Sequence, residues 1–74
     1  MLKFEDLVIR GFYRKGWETR VVLKDGSERV GAYVALMFES RPPHLLLDCD
    51  GKRVRIRRDD IEGIEFPGEP RLVA

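Results

Sequence analysis

His44, Asp48, Cys49 and Asp50 lie close together and include the only histidine and the only cysteine of the chain, so a nucleophile–base pair or a metal site would have to be built around them. On an extended strand, residues five apart point to opposite faces, and His44 cannot serve Cys49 as a base. Asp48 and Asp50 share a face, as paired carboxylates must for metal or acid–base work, yet aspartate at a strand end before glycine suits turn chemistry equally well. One histidine and two serines, with no glycine-rich phosphate loop and no HExxH, assemble no triad. The expectation is a protein that is not an enzyme and uses no cofactor and no metal.

A different chemistry stands in the next segment, where residues 52–58 read Lys-Arg-Val-Arg-Ile-Arg-Arg. Alternation puts Val54 and Ile56 on one face and Arg53, Arg55 and Arg57 on the other, the pattern of a strand with one buried and one wet side. Guanidinium groups in a row, with Arg58 extending it, can track phosphates and stack on bases. The same pattern also suits a solvated strand face whose arginines pair with neighbouring carboxylates. Tyr33 and Met37, predicted to face away from the core beside Arg29, offer a stacking surface next to that track, or else cover the second face of the sheet. His44, beside Pro43, offers a second platform or a group that titrates near neutral pH, or is structural. Phe12, Tyr13 and Trp17 form either a partner surface or a cap over the core.

The chain of 74 residues suits one small domain,. Its net charge of +1 hides a segregation: residues 1–40 sum to +1, residues 41–58 to +4 and residues 59–74 to −4. A basic strand followed by an acidic segment is compatible with an anionic partner, although the two segments can also neutralise each other. A single cysteine excludes an intrachain disulfide and favours a reducing, cytoplasmic setting. The N-terminus lacks the pattern of a signal peptide, and the longest apolar run, 32–38, is too short to span a bilayer. The expectation is a soluble chain with no membrane partner. There is no Asn or Gln and charged residues reach 36%, a bias that resembles proteins from hot environments.

Phe4, Leu7, Val8 and Phe12 recur at helical spacing, with Glu5 and Asp6 where a helix dipole favours negative charge. This predicts a short amphipathic helix stopped by Gly16. Residues 18–24 alternate as a strand with Trp17, Thr19, Val21 and Leu23 on one side, and Asp25-Gly26 signals a hairpin. The returning strand runs over 28–38, with Val30, Ala32, Val34, Leu36 and Phe38 on one face and Gly31 permitting a bend or bulge. Pro42 and Pro43 enforce a loop. A third strand over 44–49, a second hairpin turn at Asp50-Gly51 and the arginine strand follow. Residues 59–66 form a tight acidic turn into a last short strand. The predicted architecture is mainly β: residues 1–66 as one domain, a short N-terminal helix and then five antiparallel strands bent into a small barrel that hides its edges, with 67–74 as an extended tail pinned by Leu72 and Val73.

In this order of elements the chain resembles the Sm-like superfamily of Sm, LSm and Hfq proteins, whose SH3-like barrels follow a helix with five bent strands. Val21 to Gly26, Gly31, Leu45-Leu46-Leu47 and Ile56-Arg57-Arg58-Asp59-Asp60-Ile61 fall in the order of the family's motifs. Arg57 matches the arginine that stacks on a base in Sm rings. The family's base-reading asparagine has no counterpart, and Arg58 replaces the glycine of the second motif. Leu23-Lys24-Asp25-Gly26 and Ser40-Arg41 also resemble the Rof family, Sm-like inhibitors that bind the transcription terminator Rho.

The resemblance implies a protein that binds single-stranded RNA in RNA metabolism or transcription regulation, with Arg53, Arg55, Arg57 and Arg58 on the strand and Tyr33 and His44 as platforms. A Rof-like regulator would instead dock on an RNA-handling protein such as Rho through Glu5, Asp6, Asp59 and Asp60. A third alternative is a structural module that assembles as a homo-oligomer by strand addition.

Overall fold

A computed structural model describes the backbone of residues 1–10 and 14–68. Five strands dominate: β1 (Glu18–Leu23), β2 (Glu28–Met37), β3 (His44–Cys49), β4 (Lys52–Arg57) and β5 (Ile61–Glu65). Both Asp-Gly signals are turns. Gly26 has φ +89°, Asp50 +53° and Gly51 +84°, so the two-residue loop between Cys49 and Lys52 has both central residues in the left-handed region, as a tight hairpin requires. At the first turn, the Ser27 amide and hydroxyl donate to Asp25 Oδ1 at 2.8 and 2.6 Å, which holds the Asp25 carboxyl below its ordinary range.

The N-terminal helix expected over the first fourteen residues is not formed as such. A three-residue 3-10 turn, Phe4–Asp6, leads into a single helical turn, α1 (Leu7–Arg10). Asp6 caps the start by accepting the Lys3 amide at 2.7 Å. Three 3-10 residues and four helical ones close few hydrogen bonds for the dihedrals they fix. Phe4 and Leu7 are nonetheless buried, while the expected roles of Phe12, Tyr13, Leu72 and Val73 lie outside the described residues. Among the described residues no helix is long and apolar enough to cross a membrane.

The expected closed barrel is also corrected. The strands form one antiparallel sheet in the order β4-β3-β2-β1-β5, with no β4–β5 ladder to close it. Arg58–Asp60, a 3-10 turn, joins these two edge strands. The outer edge of β5 is occupied by Leu2, whose amide and carbonyl exchange hydrogen bonds with Ile64 at 2.9 and 2.8 Å, and that edge is unavailable to β4. The remaining edge, β4, carries Lys52, Arg53, Arg55 and Arg57, charge of the kind that discourages edge-to-edge aggregation.

Val21, Tyr33, Leu45, Leu47, Ile56, Ile61, Ile64 and Phe66 build the core with Phe4 and Leu7. The long strand β2 departs from its expected face pattern because its pairing to β3 shifts between Tyr33 and Ala35. One extra residue reverses the alternation. Tyr33 therefore turns inward at 3% exposure and Val30 outward at 51%, whereas beyond the shift Leu36 keeps its expected core side and Met37 its outer one. Gly31 serves close approach: a Cβ there would stand 2.7 Å from both the Asp48 carbonyl oxygen and Cys49 Sγ. Gly31→Ala should lower stability by about 1–3 kcal/mol, measured by urea unfolding. An unchanged midpoint would contradict this packing.

Candidate nucleic-acid interface

The two-residue turn fixes the β3–β4 register at Cys49↔Lys52, and the ladder then sets Asp48 opposite Arg53, Leu46 opposite Arg55 and His44 opposite Arg57. Val54 and Ile56 point to the core side, Ile56 at 5% exposure, so Arg53, Arg55 and Arg57 stand together on the outer face, all exposed. Among the described residues no carboxylate comes within 4.0 Å of any of these three guanidinium groups; the ion pairs fall elsewhere. Asp48, the one acidic residue directly opposite the row, accepts the Gly51 amide through Oδ1 at 2.9 Å.

Arg41, Pro42, His44, Arg55 and Arg57 line a concavity of about 320 Å³ at the end of β4. His44 is buried at 7% exposure, with Nδ1 3.1 Å from the Pro42 carbonyl oxygen. Next to this concavity, Leu36, Met37, Phe38, Glu39 and Ser40 line an apolar groove of about 260 Å³. Met37 links the two, being paired to His44 across β2 and β3. Guanidinium groups thus stand beside the apolar side chain of Met37.

The acidic segment after β4 is engaged away from this row. Glu65 pairs with Arg20 on β1 at 3.3 Å and Asp59 with Arg58 at 3.6 Å. Arg58 leaves the arginine row: its amide donates to the Pro43 carbonyl at 2.9 Å, and its side chain lines a separate groove with Lys3, Glu5, Lys24, Asp59 and Glu62. Of the acidic residues considered for protein docking, Glu5 and Asp59 thus meet in one groove, but in company with three basic side chains. Asp6 caps the 3-10 turn, and the Asp60 carbonyl accepts the Lys24 amide at 3.0 Å.

Tyr33 also lies apart from the arginine row. Its ring packs 6.1 Å from that of Phe66, and Trp17 meets Phe66 edge to face at 6.3 Å. The Arg14 guanidinium sits over both Trp17 and Phe66, 4.8 and 4.7 Å from the ring centres. The apolar residue that the strand pairing brings beside His44 and Arg57 is Met37, and the additional cation is Arg41. Arg41 could have been found from the hairpin register: a two-residue turn sets Arg57 opposite His44, and the loop holding Arg41 ends immediately before His44.

Burial pushes the Tyr33 phenol up to about 12 from 10.0. Because the folded value is the higher one, the stabilising effect of this burial is complete below about pH 10 and is lost as the pH rises through the folded value. An ultraviolet titration of a Tyr13→Phe variant, in which Tyr33 is the sole tyrosine, should show ionisation well above that of free tyrosine, accompanied by unfolding. Ionisation at the ordinary value would place the ring in solvent.

The chain matches no protein-family model, no curated protein and no solved structure.

Proposed function

We propose that this chain is an RNA-binding protein that acts by binding rather than by catalysis, in RNA metabolism or transcription regulation, and that it holds a single strand across the outer face of β3 and β4. The observation that carries this reading is the row Arg53, Arg55 and Arg57, exposed on one strand face with no ion pair among the described residues. A neutralised surface would place carboxylates against these groups, whereas those of Glu65, Asp59 and Asp48 are engaged with Arg20, Arg58 and the Gly51 amide.

Arg41 extends the positive charge around the concavity, and Met37, paired to His44, supplies apolar area beside it. Splayed bases need such area, which a duplex, with its bases stacked inside, cannot use. Docking on a basic protein such as Rho has less support: Glu5 and Asp59 share their groove with Lys3, Lys24 and Arg58, which leaves no acidic field. Assembly by strand addition at β4 would bring its four like charges toward a partner strand, at a cost when such charges meet.

Fluorescence anisotropy with a short single-stranded RNA tests the proposal. Affinity should fall with salt, with a log–log slope of about −2 if three phosphates are neutralised at about −0.7 each. The double change Arg55→Glu and Arg57→Glu should weaken binding by at least about tenfold, since each lost charged hydrogen bond is worth roughly 1.5–3 kcal/mol. Binding that ignores both salt and the charge reversal would refute it, as would no binding at low salt.

A further inference from the structure

His44 is an unusual floor for an arginine-lined concavity. It is 7% exposed, and it is the only histidine of the chain. Its Nδ1 lies 3.1 Å from the Pro42 carbonyl oxygen. A carbonyl oxygen only accepts, so Nδ1 carries a hydrogen whether the ring is neutral or charged, and the second proton has to go to Nε2. In the neutral ring Nε2 is a lone pair, which gives an anion nothing to bind. In the charged ring it becomes a charge-assisted donor.

The charged groups around this concavity are all of one sign: Arg41 comes from the β2–β3 loop, and Arg55 and Arg57 from β4. On the β2 side the residue opposite His44 is the uncharged Met37, and Glu39 lines the adjacent apolar groove rather than this concavity. Among the described residues lining it, nothing but an incoming ligand can supply negative charge. An anion held by the three guanidinium groups also favours the imidazolium beneath them, because an opposite charge stabilises the charged form.

We infer that the Arg41–His44–Arg55–Arg57 concavity binds one phosphodiester group and takes up a proton on His44 Nε2 as it does so. The inference rests on the nucleic-acid reading of this face. Solvent supplies the proton on binding and recovers it on release, and no covalent bond changes. Linkage fixes the sign: if binding favours the protonated ring, protonation favours binding by the same factor. Affinity is then highest below the histidine range and declines as the pH rises through it.

The test uses the whole chain and a short oligouridylate with hydroxyl groups at both ends, because neither its internal phosphates nor its bases titrate in the histidine range. Anisotropy at constant salt should show binding at least about fivefold tighter near pH 5 than near pH 8, and His44→Gln should flatten that dependence. In the unmodified protein, the single histidine resonance should titrate at higher pH with the oligonucleotide than without it. That readout does not depend on the variant folding. Tight binding that is independent of pH, with an unmoved histidine titration, would overturn the inference and leave the RNA reading intact. No binding at any pH would remove both.

Discussion

The Asp50–Gly51 turn is the constraint on which the rest of this surface depends. A two-residue loop with positive φ at both positions permits one register between β3 and β4. A slip by one residue would send Arg53, Arg55 and Arg57 into the core and bring Val54 and Ile56 out to water. Burying even one guanidinium without a partner costs several kcal/mol, so the hydrophobic alternation and the turn enforce the same answer. Everything proposed for the outer face follows from that register, because it also decides that His44 meets Arg57 and that the preceding loop brings Arg41 beside them.

Charge in this molecule is separated by hydrogen-bonding topology as well as by sequence. The acidic segment follows the arginine strand directly, and simple neutralisation is the natural expectation for two such neighbours. The structure divides them because β5 joins the sheet next to β1, at the opposite end of the hydrogen-bonded order from β4. Leu2 then occupies the free edge of β5. Glu65 consequently faces Arg20, and Asp59 stays with its sequence neighbour Arg58. The result is a nearly neutral protein with a locally basic face, a distribution that concentrates attraction for anions on the outer side of β4.

Much of the fold was legible in the sequence, because the signals were short-range and mutually consistent. His44 to Cys49 stood out as a strand from its Leu-rich run between a proline loop and a turn, and both Asp-Gly pairs marked turns that have the required backbone geometry. Three features were less legible. The β2 shift depends on the match between Tyr33–Ala35 and Leu46–Leu47, a long-range pairing with no local signature, since Val30, Ala32, Val34 and Leu36 make an apolar alternation of their own. That shift turned Tyr33 into the core and left Met37 on the outer face. Apolar spacing in the first fourteen residues described a buried stripe, which Phe4 and Leu7 supply, without showing that it opens as a 3-10 turn. Closure into a barrel was inferred from the need to protect edges, and the molecule meets that need with Leu2 at one edge and charge at the other.

For the candidate site, residue types were easier to read than their company. Arg53, Arg55 and Arg57 share a face because alternation is a local property. Arg58 was grouped with them by sequence adjacency, but the 3-10 turn that begins there carries it into a different groove. The most direct measurement of the central claim is a map of amide and side-chain NMR shifts as single-stranded RNA is added to the isotope-labelled chain. The account predicts that the changes concentrate at Met37, Arg41, His44, Arg53, Arg55 and Arg57. Changes confined to the groove of Lys3, Glu5, Arg58 and Glu62, or no changes at all, would contradict it.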